Sequence, residues 1–356
     1  MNFQLPFNEL GLIEQYKFQS SDKLQNQLLA STAALHQCYG YSLALPSDVL
    51  MPFMRMMHMV ELKNSFELEG MPIAYARLFE ALGMEAQIKD KTIQLILAAR
   101  AGVQSLQGLK GLELDSLKLQ VKTLELYRHK TDQKILSYYT NLCLYTPPSS
   151  AAVLEKLKQN LHQHLLTENT QQTIEQQAII HFQIRAVAPF VAQNGIVARQ
   201  YALNALQQLQ LDFIPLPISL IIQQQKEHYN ALIKESLQTK QMQAWIEFYA
   251  QILQDAAQQM QKRIGYYLAL RKSAYEQMNK YLDYVLPSDA ILKVLFEQPY
   301  INAKRMCKLL NCHRQTAYLY LTHLCKLGLL IPKKMGRETL YLHKAYFDLL
   351  VAEPII

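Results

Sequence analysis

Long apolar runs are missing from this 356-residue sequence. None approaches the ~18 residues that a membrane-spanning helix needs. The longest pieces, such as the stretch from Phe213 to Ile222, are broken by Pro215 and Pro217. No membrane contact is expected. The opening MNFQLPFNELG lacks a basic segment followed by an apolar one. No secretory leader is therefore read there, and a cytoplasmic location is the default. Cysteine is scarce: Cys38, Cys143, Cys307, Cys312 and Cys325 are odd in number and widely scattered. That argues against a disulfide framework and for a reducing compartment. Cys307 and Cys312, with His313 and His323, fit no standard zinc spacing, so no metal is expected. Charged residues make up only 18% of the chain against 50% hydrophobic, which excludes a disordered protein. The length leaves ample core for two or three domains.

What is present is helical periodicity. Leu24, Leu28, Leu29 and Ala33 recur at helical spacing over 22–36. Leu45-Pro46-Ser47-Asp48 is a helix start, with Ser47 or Asp48 as cap. The methionine-rich run 49–68 reads as an adaptable core helix ending near Glu69-Gly70, where Gly serves as C-cap. Helical patterns continue over 74–112, 115–126, 150–166, 171–188, 196–209 and 218–282. Trp245, Phe248 and Tyr249 form an aromatic face in the last of these. The segment 134–145, KILSYYTNLCLY, is rich in β-branched and aromatic residues and reads as a short hairpin. His181 reads as a core histidine.

The stretch from Ala188 to Arg199, APFVAQNGIVAR, has the outline of a phosphate-handling turn. Asn194-Gly195 suits the positive φ angles of a tight turn, and an apolar helix opens at Ile196. A helix start offers unpaired N–H groups and a positive dipole end to an anion. Arg199, on the first turn, is placed to grip a phosphate with two parallel hydrogen bonds. A plain loop between two buried helices is the other reading of the same turn chemistry.

With identical spacing, this stretch resembles the Fic signature His-Pro-Phe-x-Asp/Glu-Gly-Asn-Gly-Arg-x-x-Arg. Pro189, Phe190, Asn194, Gly195 and Arg199 match. The signature's general-base His is replaced by Ala188, its magnesium-binding acid by Ala192, a phosphate-loop Gly by Gln193 and its first Arg by Ile196. Fic enzymes transfer AMP from ATP to a hydroxyl side chain. Ala188 cannot take the hydroxyl proton, Ala192 has no side-chain oxygen for magnesium, and Ile196 neutralises no phosphate charge. The resemblance therefore implies a degenerate site with no catalytic residue of its own and, at most, weak binding of ATP with Mg2+. Ser65-Phe66-Glu67-Leu68-Glu69-Gly70 resembles the family's inhibitory-helix pattern Ser/Thr-x-x-x-Glu-Gly/Asn. In that pattern the Glu pairs with the signature's second Arg and obstructs the γ-phosphate. The resemblance implies a Glu69–Arg199 ion pair, with Ser65 and Gly70 framing it. It also implies that 134–145 is the flap where a target side chain docks as an added strand.

The last seventy residues differ in character. Helices are expected over 290–297, 303–310 and 314–327, then strands over 329–332 and 339–342 around a basic turn, 333–337. This order resembles a winged helix-turn-helix. Between Tyr300 and Lys344 nine Lys and Arg face one acidic residue, Glu338. Arg314, Gln315, Thr316 and Tyr318 on the third helix, with Lys333, Lys334 and Arg337 in the basic turn, are the candidate DNA contacts. Such modules also serve as dimerisation or protein-docking units.

The expected architecture is mainly α: a Fic-like helical core with a short β-hairpin flap, followed by a C-terminal winged helix-turn-helix. The expected divisions are 1–90 (helices with the inhibitory segment), 91–285 (core) and 286–356 (winged helix). Two functions stay open. One is an inactive relative of the AMP-transferring enzymes, acting as a DNA-binding regulator or nucleotide sensor. The other is an active adenylyltransferase using altered residues. Candidate partners are DNA, a protein target at the flap and a second copy of the chain.

Overall fold

Capping and turn chemistry sets many of the element ends in this protein. Its computed structural model describes residues 9–84, 88–106, 147–166, 173–190, 193–206, 211, 214–281 and 288–352. The helix expected at 115–126 and the flap expected at 134–145 lie outside them. The described chain is mainly helical, with one three-stranded antiparallel sheet. It divides into two compact units. Residues 1–39, 61–72 and 94–258 form the first, and residues 40–60, 73–93 and 259–356 the second.

The first unit contains most of α1 (Asp22–Leu43) and the end of α2 (Ser47–Leu68). Gly70 stops α2: its φ is 78°, and the Met71 N–H closes on the Phe66 carbonyl at 3.0 Å. The described part of the 74–112 pattern holds two helices, α3 (Tyr75–Met84) and α4 (Lys91–Leu106), of which the first unit takes only the latter's main part. It also takes α5 (Ala151–Leu166), α6 (Ile174–Val187), α7 (Asn194–Ala205), α8 (Ile218–Gln224), α9 (Lys226–Thr239) and the first part of α10 (Gln243–Tyr281). The single helix read over 218–282 is thus three, interrupted where Lys240 adopts a φ of 56°.

The centre of this unit is the α6–α7 pair. Twelve of the fourteen residues of α6 and all twelve of α7 are buried. A helix buried all round has no polar face, so its polar groups need partners inside the protein. Thr173 and Gln176 cap α6 reciprocally. The Gln177 amide donates to the Ala205 carbonyl at 3.1 Å, and Trp245 Nε1 donates to the Ala178 carbonyl at 2.8 Å. His181 sits among Tyr229, Trp245 and Tyr249, with Nε2 3.0 Å from the Tyr229 hydroxyl. Burial, then the charges of Arg199 and Arg185, hold its pKa well below the usual value, so it is a neutral core histidine.

The second unit is built from the first part of α2, α3, the second part of α10, α11 (Ser288–Leu295), β1 (Tyr300–Ile301), α12 (Ala303–Leu310), α13 (Arg314–Lys326), β2 (Ile331–Met335), β3 (Glu338–Leu342) and α14 (Lys344–Val351). The strands lie in the order β1-β3-β2, with Tyr300 opposite Leu342 and Lys334 opposite Thr339. The sequence reading missed β1 and α14. It also placed the hairpin turn too early and too wide. Lys333, Lys334 and Met335 are strand residues, and only Gly336-Arg337 turns, with Gly336 at φ 60°. Two residues with that Gly form a tight hairpin connection and leave the lysines to the ladder. Met306, Leu321, Leu324, Leu340 and Tyr346 form the core. α3 docks here through Gly83, where a Cβ would stand 2.8 Å from the Tyr300 Cβ. Arg263 of α10 donates 2.9 Å hydrogen bonds to the Leu349 and Leu350 carbonyls, satisfying the C-terminal end of α14.

Candidate functional site

The loop between α6 and α7 starts with a residue in an unusual conformation. Ala188, which ends α6, has φ 48°, and Gln193, which precedes α7, has φ 62°. Asn194-Gly195 is therefore not the positive-φ turn the sequence reading expected. Both residues already belong to the first turn of α7, which opens at Asn194 rather than Ile196. Asn194 has a different task. Its Oδ1 accepts the Phe190 N–H at 2.9 Å, and its Nδ2 donates to the Phe190 carbonyl at 3.0 Å. The side-chain amide thus mimics a strand partner and pins the loop. Phe190 is fully buried and anchors it in the core. Gln193 Nε2 lies 3.9 Å from the Met71 sulfur.

Gly195 is required by crowding, not by φ. A Cβ on it would lie 1.9 Å from Glu69 Oε1 and 2.6 Å from Arg185 Nη1. The Glu69 carboxylate is thus seated directly over the first turn of α7, where the free N–H groups and the positive dipole end favour an anion. Two guanidinium groups hold it there. Arg199 Nη2 and Arg185 Nη1 each approach Glu69 Oε1 at 3.2 Å. Arg199 also donates from Nε to the Ser65 hydroxyl and from Nη2 to the Ser65 carbonyl, both at 2.8 Å. All four side chains are buried. The expected Ser65, Glu69 and Arg199 are brought together, and Gly70 ends the helix that delivers the first two.

Sequence reasoning missed two members of this cluster. Arg185 was passed over inside an apolar helix. Its signal was its place three residues before Ala188, a lone basic group in the last turn of α6, where the dipole favours it. Glu61 was the other. It lies at i, with Ser65 at i+4 and Glu69 at i+8, so all three share one face of α2. Glu61 accepts the Ser219 N–H at 2.9 Å and the Ser219 hydroxyl. Complete burial pushes its pKa up to about 7, against the hydrogen bonds of Ser219 and the charge of Arg199, which pull it down.

This arrangement binds an anion already, and the anion is the protein's own. Ala188 offers no proton acceptor, and His181 spends Nε2 on Tyr229. The residues do not fit a magnesium-bound triphosphate. Ala192 has no side-chain oxygen, and the Glu69 carboxylate fills the space over Gly195. Among the described residues no group of three or more His, Cys, Asp or Glu side chains is placed to hold a metal ion. Nor is any helix long and apolar enough to cross a membrane.

The α13 face is different. Arg314, Gln315, Tyr318, Leu319 and Thr322 are exposed along one stripe, and Thr316 is half-buried at its edge. Thr322 belongs to the stripe but was not singled out from sequence. Arg314 lies over the Tyr318 ring at 5.5 Å and donates to its hydroxyl at 3.2 Å. Lys334 and Arg337 are exposed on the hairpin. Lys333 is exposed as well, and its ammonium pairs with Glu80 of α3.

Residues 271–346 match the family model described as the C-terminal domain of SoFic-like protein adenylyltransferases. Among solved structures, a Fic family protein from Desulfovibrio desulfuricans G20 superposes with a TM-score of 0.54 at 16% identity, covering 92% of this chain and 97% of that one. Fic-1 (residues 134–508) from C. elegans aligns at 17% identity and a TM-score of 0.49, covering 66% of this chain and 70% of that one. At 16% identity the likeness to the Desulfovibrio protein is one of fold, and the fold is that of a Fic family protein.

Proposed function

We propose, for a chain of Fic fold whose residues 271–346 match the SoFic-like C-terminal domain, that it is a DNA-binding regulator whose Fic-type core has lost AMP transfer. The observation that carries the loss is the Glu69 carboxylate lodged between Arg185 and Arg199 over Gly195. It occupies the place of a phosphate in a site whose base position is Ala188. The core then serves as a scaffold, or as a sensor that responds if a nucleotide displaces Glu69.

The DNA reading is supported by the second unit. A helix, a short strand, two helices and a hairpin follow in the order of a winged helix-turn-helix, and the exposed stripe of α13 carries Arg314 and Gln315, residue types that read guanine and adenine edges. Lys334 and Arg337 on the hairpin supply phosphate contacts.

The test is incubation of wild type and Glu69→Gly with ATP labelled on the α-phosphate, magnesium and cell lysate. Neither should place label on any protein, in an assay where an active Fic protein does. Label that depends on this chain would establish the second reading, an adenylyltransferase working through the retained Asn194, Gly195 and Arg199 with an unrecognised base. For the DNA arm, binding to a random-sequence duplex should weaken as salt rises.

A further inference from the structure

We propose that Cys307 and Cys312 are a modification site: a dithiol pair that a hydroperoxide closes to a disulfide, locking the turn that leads into α13.

The pairing comes from how α12 ends. Asn311 takes the left-handed conformation, with φ 47° and ψ 48°, and its N–H reaches the Cys307 carbonyl. The Cys312 N–H closes on the same carbonyl at 3.1 Å. This six-residue closure folds position 312 back over position 307, and side chains at those two places meet. Here the two thiols interact, and Cys307 contributes to raising the Cys312 thiol. Both residues are half-buried, so a small oxidant can reach them.

The two sulfurs are not equivalent. The Cys312 thiol is pushed up, first by burial and then by the negative charge of Cys307 and the hydrogen bond between them.

The raised Cys312 thiol attacks second. The Cys307 thiolate attacks a hydroperoxide, ROOH. An S–O bond forms, the O–O bond breaks, and ROH leaves with a proton from solvent. Cys312 then attacks the sulfenic sulfur of Cys307. The S–S bond forms, the S–O bond breaks, and water leaves carrying the Cys312 proton. The two thiols give up two electrons and the peroxide takes them. A dithiol reductant reverses the reaction. The other described cysteines serve as internal references. Cys38 is buried, and burial pushes its thiol up to about 12; burial also pushes up the thiol of Cys325 on α13.

The pair sits at the entrance to the helix that carries Arg314, but the disulfide stands apart from the DNA reading and is tested without DNA. The full chain is treated with stoichiometric hydrogen peroxide, alkylated and digested with trypsin. Cleavage after Lys308 and Arg314 separates the two cysteines, so the disulfide appears as peptides 306–308 and 309–314 joined, lighter by two hydrogens than their sum and separated again by dithiothreitol. Amide exchange over residues 311–314 should slow several-fold in the oxidised protein. Cys307→Ser and Cys312→Ser should each abolish both results while leaving the thermal unfolding of the reduced chain near that of wild type. Two free alkylated peptides after peroxide, or sulfinic acid at either cysteine in place of the joined pair, would overturn the proposal. Joined peptides with unchanged exchange would overturn the lock.

Discussion

Arg199 and Arg314 are the same residue in opposite circumstances. Arg199 is 1% exposed and donates to the Ser65 hydroxyl, the Ser65 carbonyl and Glu69. Arg314 is exposed and rests on the ring of Tyr318. The first belongs to a buried cluster of two arginines and two glutamates on α2, α6 and α7, completed by Ser65 and Ser219. The second belongs to a stripe that faces outward. A buried charge must be matched inside the protein, because losing water costs it several kcal/mol. An exposed one is left for a partner. The Glu69 pocket therefore reports on the fold and the α13 face on binding, and mutations should separate the two.

The largest effect is expected from Glu69→Ala, which leaves Arg185 and Arg199 facing each other in the core. Urea unfolding should show a loss of about 3–5 kcal/mol, whereas Arg314→Ala should stay within about 0.5 kcal/mol of wild type. Equal losses would break the comparison. Glu61→Gln comes next and depends on pH. The folded pKa of Glu61 is raised to about 7 from 4.5, so its stabilising contribution is complete below pH 4.5 and is lost as pH rises through 7. The amide variant should then be more stable than wild type at pH 8, by on the order of 3 kcal/mol, and should lose that advantage near pH 4. His343 in the second unit carries the opposite sign. Burial lowers its pKa to about 4 from 6.5, so its contribution is present above pH 6.5 and lost as pH falls toward 4.

Gly195→Ala sharpens the claim that Glu69 occupies the pocket. Its Cβ meets the Glu69 carboxylate, so unfolding should show a cost of about 1–3 kcal/mol. In a Glu69→Gly background that cost should shrink, because the Glu69 atoms are gone and only the Arg185 guanidinium stays close. An unchanged cost would place the clash elsewhere. The smallest effect divides neighbouring lysines on the hairpin. Lys334→Ala should lower the salt slope of DNA binding by about one. Lys333→Ala should change that slope less and cost stability at most about 1 kcal/mol, since its charge is engaged by Glu80 at the surface.

Much of the fold was legible in the residues. The α12 bounds and the Gly70 stop follow from local capping, and the burial of α2 from its apolar, methionine-rich run. The errors lie where local chemistry allowed two answers. Asn194-Gly195 is an ordinary turn signal, but the side chain of Asn194 bridges Phe190 and the space over Gly195 belongs to Glu69. The pairing of Lys333 with Glu80 was not legible, because Glu80 lies 253 residues away in the chain. Arg185 went unread because α6 and α7 have no polar face against which a buried charge stands out.

By itself the sequence determined the helical periods, the degenerate motif with alanine at 188 and 192, and the basic excess of the last stretch. These depend on residue identity and short spacing. Only the tertiary structure decided that Glu69 meets two arginines, that Gly195 is needed for room and that Cys307 touches Cys312. The first two join groups distant in the chain, and the third depends on the left-handed turn at Asn311. For the first two, what matters is which atoms are excluded from water together, and no local pattern encodes that.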